Sequence, residues 1–565
     1  MRKENYLITA AIILIGWLVS VPAQNPIQVE NTIRGTKDWQ IANAAGNHEV
    51  EGYASHTSVN KGETINFHLR VNTTGLVNLD IYRLGYYSGK GGRLIVTIPS
   101  VPVSTQPFPV PNTSTGLAEC NWPSPALAMW AVPTDTVSGV YVVKLTAQTG
   151  GYQSYISFVV RDDARVSDLL YQRSVTTDQA YNNYPGVLDS RTSACDPGQA
   201  GSPCPAPVNG KSLYQFNSYG VDLAPANLYP YQSRQGKKVS FNRPYGNLGS
   251  YAGIYDTAGT TLFQYDVNMI RWLEKQGYDV TYSTNIDTHT ADATNGRLSA
   301  GRHKAFLSVG HDEYWSWEMR DNLEQARNRL SLPLNLGFFS ANTCYWQVRL
   351  EPSTGSGTLP AGAANRTMVG YKELARVSDS TIKDPLYMNG NSADDYLISD
   401  KWRFNVQKPP EDELIGVMWS LDPPFCCTWN TVIISPSAPG WITNGMTGQT
   451  LDGLLGNEAD HLFETNIYND RALQTVAVSP FYPGTSPTPS PSSTPLGDSH
   501  MTFYTRNNNT ARVFATGTIQ WAWGLDNYNA DLNIGPVVYH LPYQKTDAQI
   551  LTTNVLNCLI NGVCS

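Results

Sequence analysis

Four short polar runs in this 565-residue chain carry residue types able to do chemistry: His311-Asp312-Glu313-Tyr314, Asn342-Thr343-Cys344-Tyr345, Gly456-Asn457-Glu458-Ala459-Asp460-His461 and Gln520-Trp521-Ala522-Trp523. Phenol, carboxylate and imidazole donors converging from such runs could hold a hard metal ion. A tyrosine becomes a ligand where a cation favours its phenolate, against the tendency of burial to keep the phenol protonated. The competing reading is packing, because the chain has 32 tyrosines and most tyrosines pack or hydrogen-bond. His311, Glu313 and His461 are the candidates for moving protons, weighed against the commoner histidine role of a hydrogen-bonded structural residue. Asp312 and Glu313 are adjacent and project differently, which makes them a poor glycosidase-type acid/base pair. Trp315, Trp346, Trp521 and Trp523 could line an apolar pocket for a small substrate, or simply fill core. A G-x-S-x-G elbow, an H-E-x-x-H helix, a Walker A loop and a G-x-G-x-x-G fingerprint are all missing from the sequence.

Buried strands must position the first two runs. The apolar stretch 305–309 stops at Gly310, and the polar run follows at once. Over residues 317–330, Met319, Leu323, Ala326 and Leu330 recur at helical spacing, with Arg320, Asp321, Glu324 and Arg327 on the other side. Ser316 is the expected N-cap, and Glu318 lies in the first turn, where the helix dipole favours an acid. Residues 334–339 form the next strand. A strand–helix–strand crossover makes the two strands parallel, so both polar runs leave at one carboxyl edge, where open α/β sheets bind ligands.

Further strand signals at 238–241, 279–283 and 511–516, and a helix over 263–276 ended by Gly277, predict a doubly wound α/β domain over residues 163–565. Long insertions are expected at 191–210 and 350–365, and a Pro/Ser/Thr-rich loop at 481–497. Residues 24–162 read instead as short alternating strands punctuated by turn residues, an immunoglobulin-like β-sandwich with a core of its own. The boundary falls at Arg161-Asp162-Asp163.

A hydrophobic content of 41%, 15% charged residues and a net charge of −8 describe a folded protein of two or more domains. No basic run suggests nucleic acid or an anionic membrane as partner. Residues 1–23 read as a signal peptide: Arg2 and Lys3, then an apolar core, then Val21-Pro22-Ala23 before the cut. Secretion or an extracytoplasmic location follows, with no membrane span after cleavage. Eight cysteines fit an oxidising compartment; Cys195–Cys204 and Cys558–Cys564 are the expected local disulfides, and a bridge from Cys344 to Cys426 or Cys427 would brace the site.

The ordered runs QAYNNYPG, GKSLYQF, KVSFNRPY, MIRWLEKQGYDVTYSTNIDTH, SVGHDEYWS, NTCYWQVRLE and FATGTIQWAWGLD, spread over most of residues 165–560, resemble the C-terminal domain of the N,N-dimethylformamidase large subunit and its relatives. EGYASHTSVNKGETINFHL and IYRLGYYSGKGGR are similar to the N-terminal sandwich of secreted members. The resemblance implies a ferric ion held by two tyrosines and a glutamate. The matching positions are Tyr314, Tyr345 and Glu458, with Glu313 and Glu351 as alternatives for the acid. It also implies hydrolysis of a non-peptide C–N amide bond in a small molecule, and a small partner subunit outside this chain. The alternative is an extracellular glycan- or protein-binding protein whose α/β domain has lost its chemistry.

Overall fold

The computed structural model describes residues 23–185, 212–214, 235–246, 259, 261–292, 296–354, 363–421, 430–456, 458–466, 468–482, 494–528 and 544–564. The expected signal peptide (residues 1–22 of it), Cys195, Cys204, Cys426, Cys427 and residues 483–493 lie outside them.

The N-terminal part is rich in sheet. Its strands are β1 (Val50–Ala54), β2 (Ser58–Asn60), β3 (Thr64–Val71), β4 (Gly75–Leu84), β5 (Gly92–Val103), β6 (Met129–Ala131), β7 (Gly139–Ala147) and β8 (Gln153–Arg161). One sheet has the order β1-β3-β6 and the other β2-β8-β7-β4-β5. Alternation sends Ile65, Phe67 and Leu69 of β3 toward Leu79, Ile81, Val143 and Phe158 of the second sheet, closing the expected core. The second sheet is covered on its other face as well. Leu84, Val140, Val142 and Tyr155 pack with Phe263, Ile270 and Leu273 of the following part, so β7 is buried nearly throughout. Across this junction Arg83 and Glu274 form an ion pair at 2.7 Å, both side chains fully buried.

The rest of the chain continues with β9 (Ser167–Arg173), β10 (Lys238–Ser240), β11 (Val280–Thr284), β12 (His303–His311), β13 (Tyr314–Ser316), β14 (Asn335–Ala341), β15 (Trp346–Glu351) and β16 (Thr367–Val369). It ends with β17 (Met418–Leu421), β18 (Asn430–Ile433), β19 (Thr450–Leu455), β20 (Ala459–His461), β21 (Arg471–Phe481), β22 (Gly497–Arg506) and β23 (Arg512–Ala515). Seven of these form the main sheet, in the order β11-β9-β12-β14-β23-β22-β21. Neighbours from β11 to β23 are parallel, whereas β22 and β21 are antiparallel, an edge that the sequence reading did not foresee. The Pro/Ser/Thr-rich run joins β21 to β22, whose ends pair at Phe481 and Gly497. A smaller sheet, β10-β16-β15-β13, and the pairs β17-β20 and β18-β19 complete a multi-sheet, mixed α/β chain.

Helices cover both faces of the parallel strands. Val267–Gln276 and Thr546–Asn561 pack against Ala305, Leu307 and Val309, while Trp317–Asn328 packs against Phe306, Leu336 and Phe338. Gly277 ends the first of these in the left-handed conformation, as expected. Ser316 caps Trp317–Asn328 by accepting from the Met319 amide, also as expected. Two details differ. Leu330 lies past the helix end and is exposed, and Arg320 and Arg327 are buried, not solvated. Sequence-distant segments cover that side: Arg320 lies over the Trp402 ring and donates to the Pro410 carbonyl, and Arg327 pairs with Glu413.

Cys558 and Cys564 are joined as expected, with Cα atoms 4.8 Å apart. Cys344 is buried beneath the site. Among the described residues no helix is long and apolar enough to cross a membrane.

Candidate functional site

The carboxyl ends of β9, β12, β14 and β23 lie side by side, and the polar groups gather there. Two of the polar runs are not the open loops that hydropathy suggests. After Gly310 the chain turns and pairs again, Tyr314 of β13 lying opposite Trp346 of β15, and every residue from His311 to Trp346 that concerns the site is buried. Gly310 is required for that turn: its φ is +68°, and a Cβ would fall 2.5 Å from Cβ of Tyr265.

Asp312 and Glu313 point to opposite duties. Asp312 faces the scaffold, accepting from Gln172 at 2.7 Å, Ser308 at 2.8 Å and Asn285 at 2.9 Å. Burial pushes its carboxyl up despite these donors. Glu313 faces the cluster. Burial alone would raise it, but His311, Lys372 and Tyr214 hold it below the ordinary carboxylate value. Its oxygens accept from Tyr181 and Tyr214, each at 3.1 Å, and His311 Nε2 lies 3.2 Å away.

His311 bridges two acids, since the same Nε2 is 3.4 Å from Glu458 Oε1. Burial alone would lower the imidazole, but the Glu458 and Glu313 carboxylates lift it to about 9. Its Nδ1 is buried with no hydrogen-bond partner. A folded value raised from the ordinary 6.5 means that the charged ring stabilises the fold fully below about pH 6.5 and loses that contribution as pH rises through about 9. Melting of metal-stripped protein should therefore fall across this window, and His311→Gln should flatten the slope; equal slopes would refute it.

Tyr314 is buried, and its phenol lies 2.5 Å from that of Tyr214 and 3.2 Å from the Lys372 ammonium. Burial, with Glu313 next, pushes the phenol well above its ordinary value. Lys372 is itself buried, 3.4 Å over the Tyr214 ring, and burial lowers its ammonium. Tyr345 shares a packed cluster with Tyr314. Its ring meets Trp346 at 4.8 Å and Trp419 at 5.1 Å, with the Arg403 guanidinium 5.1 Å from its centre. Glu313 acts electrostatically on both phenols, although no described hydrogen bond joins the two tyrosines.

Of the three glutamates considered, Glu313 and Glu458 come together at His311, whereas Glu351 pairs with Lys238 at the other end of β15. His461 lies one residue beyond Asp460 on β20 and is brought to Asp498 at 2.6 Å, not to His311. Asp460 takes the inward place, accepting from the Asn342 amide at 2.7 Å, and burial pushes it up to about 7. Of the four tryptophans, Trp346 borders the cluster, 5.0 Å from Lys372 Nζ, while Trp315 and Trp521 fill core and Trp523 stacks on Tyr265.

Tyr181, Tyr214 and Lys372 were not singled out from the sequence as site residues, and Asn342 and Asp460 stood out only as members of polar runs, with no role of their own. Backbone strain marks two of them, Asn342 and Lys372, which have positive φ without being glycine, as does neighbouring Cys344. Such strain persists where surrounding structure over-determines it, which is common at sites.

The donors suit a hard cation. Phenol and carboxylate oxygens are gathered in a buried place, with one imidazole nitrogen left orphaned beside them. The fold and cluster define a mixed α/β protein with a buried phenol–carboxylate–lysine centre at the carboxyl edge of its main sheet. The chain belongs to the N,N-dimethylformamidase beta subunit-like, C-terminal family, whose sequence model matches residues 78–532. The match begins within β4, so it takes in the N-terminal strands from β4 to β8 as well as most of the α/β part. No curated protein matches the chain.

Proposed function

We propose that the chain is an exported, iron-dependent hydrolase of a non-peptide C–N amide bond in a small molecule. Its architecture, in this reading, is an immunoglobulin-like sandwich ahead of a doubly wound α/β domain. The observation that carries the reading is the wholly buried Glu313–Tyr314–Lys372 cluster at the sheet edge of a dimethylformamidase-like chain. Tyr314, Tyr345 and Glu458 would hold a ferric ion, with Glu313 the alternative acid. Bound there, iron supplies Lewis acidity toward the amide carbonyl and toward water.

The chain's own groups have separate tasks. The Lys372 ammonium favours the phenolate of Tyr314 against the desolvation that opposes it. His311, whose charged form Glu313 supports from 3.2 Å, can give its Nε2 proton to a leaving amine nitrogen. Glu313, held ionised, orients that ring. Glu458 is the more exposed of the two acids, which supports substrate entry from its side. The family's description as a beta subunit supports a partner subunit for this chain too.

Metal analysis of secreted protein tests the proposal. One iron per chain and a visible phenolate-to-iron absorption band are expected, together with amine release from N,N-dialkylformamides. Iron-free protein that still releases amine would overturn it, as would protein that binds no iron.

A further inference from the structure

A second set of metal-ligating side chains lies outside the cluster just described. Strand alternation in β22 puts Asp498 and His500 on one face, with buried Ser499 on the other. β20 runs against β22 and brings His461 to the same face. His461 Nδ1 is 2.6 Å from Asp498 Oδ1, His500 Nδ1 is 3.7 Å from that oxygen, and the two imidazole rings are 4.6 Å apart and perpendicular. One donor atom from each residue lies within 4.8 Å of the other two.

Tetrahedral zinc with bonds of about 2.0–2.1 Å needs donors about 3.4 Å apart, so small rotamer adjustments would close the set on one ion. An independent observation points the same way. His500 Nδ1 is buried and has no hydrogen-bond partner, although it faces the carboxylate. A buried ring nitrogen left unmade is costly unless something else satisfies it.

We propose that His461, Asp498 and His500 form a binding site for a late first-row divalent cation, zinc foremost, separate from the phenol-bearing cluster. Two imidazoles and one carboxylate suit zinc, with water completing the shell at this partly exposed position. The ion cross-links β20 to β22. Glu458 immediately precedes β20, so the clamp also fixes the segment that presents Glu458 to His311. Binding replaces the direct His461–Asp498 side-chain contact and requires both rings to be neutral.

Zinc titration of the full chain, with metal counted after dialysis, tests this site apart from the iron reading. Wild-type protein should bind one more zinc than Asp498→Asn or His500→Ala, whose affinity for that zinc falls by more than about tenfold. Both variants should keep the iron content of wild type. Zinc should also slow amide hydrogen exchange across residues 458–461 in wild type alone. If His500→Ala folds poorly, the more exposed Asp498→Asn carries the comparison. Equal zinc stoichiometry and affinity in wild type and variants would overturn the proposal, and so would a wild type that binds no zinc beyond what the iron cluster takes up.

Discussion

Glu274→Ala is expected to destabilise the chain by about 3–5 kcal/mol, because it strips a buried guanidinium of its counter-charge. Arg83 and Glu274 meet through two contacts, 2.7 and 3.0 Å, with neither side chain exposed. Glu274 also accepts from Tyr282 and Asn31, and Arg83 donates to Tyr87 and the Ser138 carbonyl. The pair therefore ties the N-terminal segment, the sheet-rich part and the helix Val267–Gln276 together. Bare backbone makes room for it: a Cβ on Gly85 would lie 2.2 Å from Glu274 Oε2. Replacing both partners with apolar residues, Arg83→Met with Glu274→Leu, should recover most of the loss, since no orphaned charge remains. Breaking Lys304–Asp168, with side chains 52% and 33% exposed, should cost less than about 1 kcal/mol. Denaturant midpoints of the three variants decide the matter. A Glu274→Ala cost as small as that of the exposed pair would show that water reaches Arg83.

The same junction marks the limit of what alternation can tell. The pattern in β3 and β4 correctly implied a core between two sheets. It could not reveal that the outer face of the second sheet is also covered, because burial on both faces reads as a plain apolar run in β7. The helix Trp317–Asn328 was legible to its cap because Ser316 and the apolar spacing are local signals. Arg320 and Arg327 were misjudged because the residues that bury them, Trp402 and Glu413, lie far along the chain. The site divides similarly. Residues at strand ends, His311 to Tyr314 and Asn342 to Tyr345, could be found from where apolar stretches stop. Tyr181 ends the seven-residue helix Val175–Tyr181, Lys372 opens the three-residue turn Lys372–Leu374 and Tyr214 lies in a bend, all too short for periodicity to mark them. The runs QAYNNYPG and GKSLYQF, which carry the family resemblance, contain Tyr181 and Tyr214 but assign them no role. A buried lysine with positive φ leaves no trace in composition or spacing.

Tyr345→Phe is expected to lower iron content and amide hydrolysis by at least about a hundredfold, the scale of losing several kcal/mol of charge stabilisation. It is a cleaner probe than Tyr314→Phe. The Tyr314 phenol hydrogen-bonds with Tyr214 and Lys372, so removing it disturbs a polar network whether or not a metal binds. The Tyr345 ring is held instead by Trp346, Trp419 and the Arg403 guanidinium, contacts that phenylalanine keeps. Loss of the hydroxyl alone should leave melting nearly unchanged while the visible band disappears. Lys372→Met then separates ligand from helper. It preserves a similar volume and removes the charge beside Tyr314, so iron should bind more weakly, by about tenfold, with the band shifted but present. Glu458→Gln and Glu313→Gln compared in the same way identify the acid: the ligand variant loses the band, and the other keeps it. Full iron content and activity in Tyr345→Phe would remove this tyrosine from the centre and leave Tyr314, Glu313 and Glu458 as the set to re-examine.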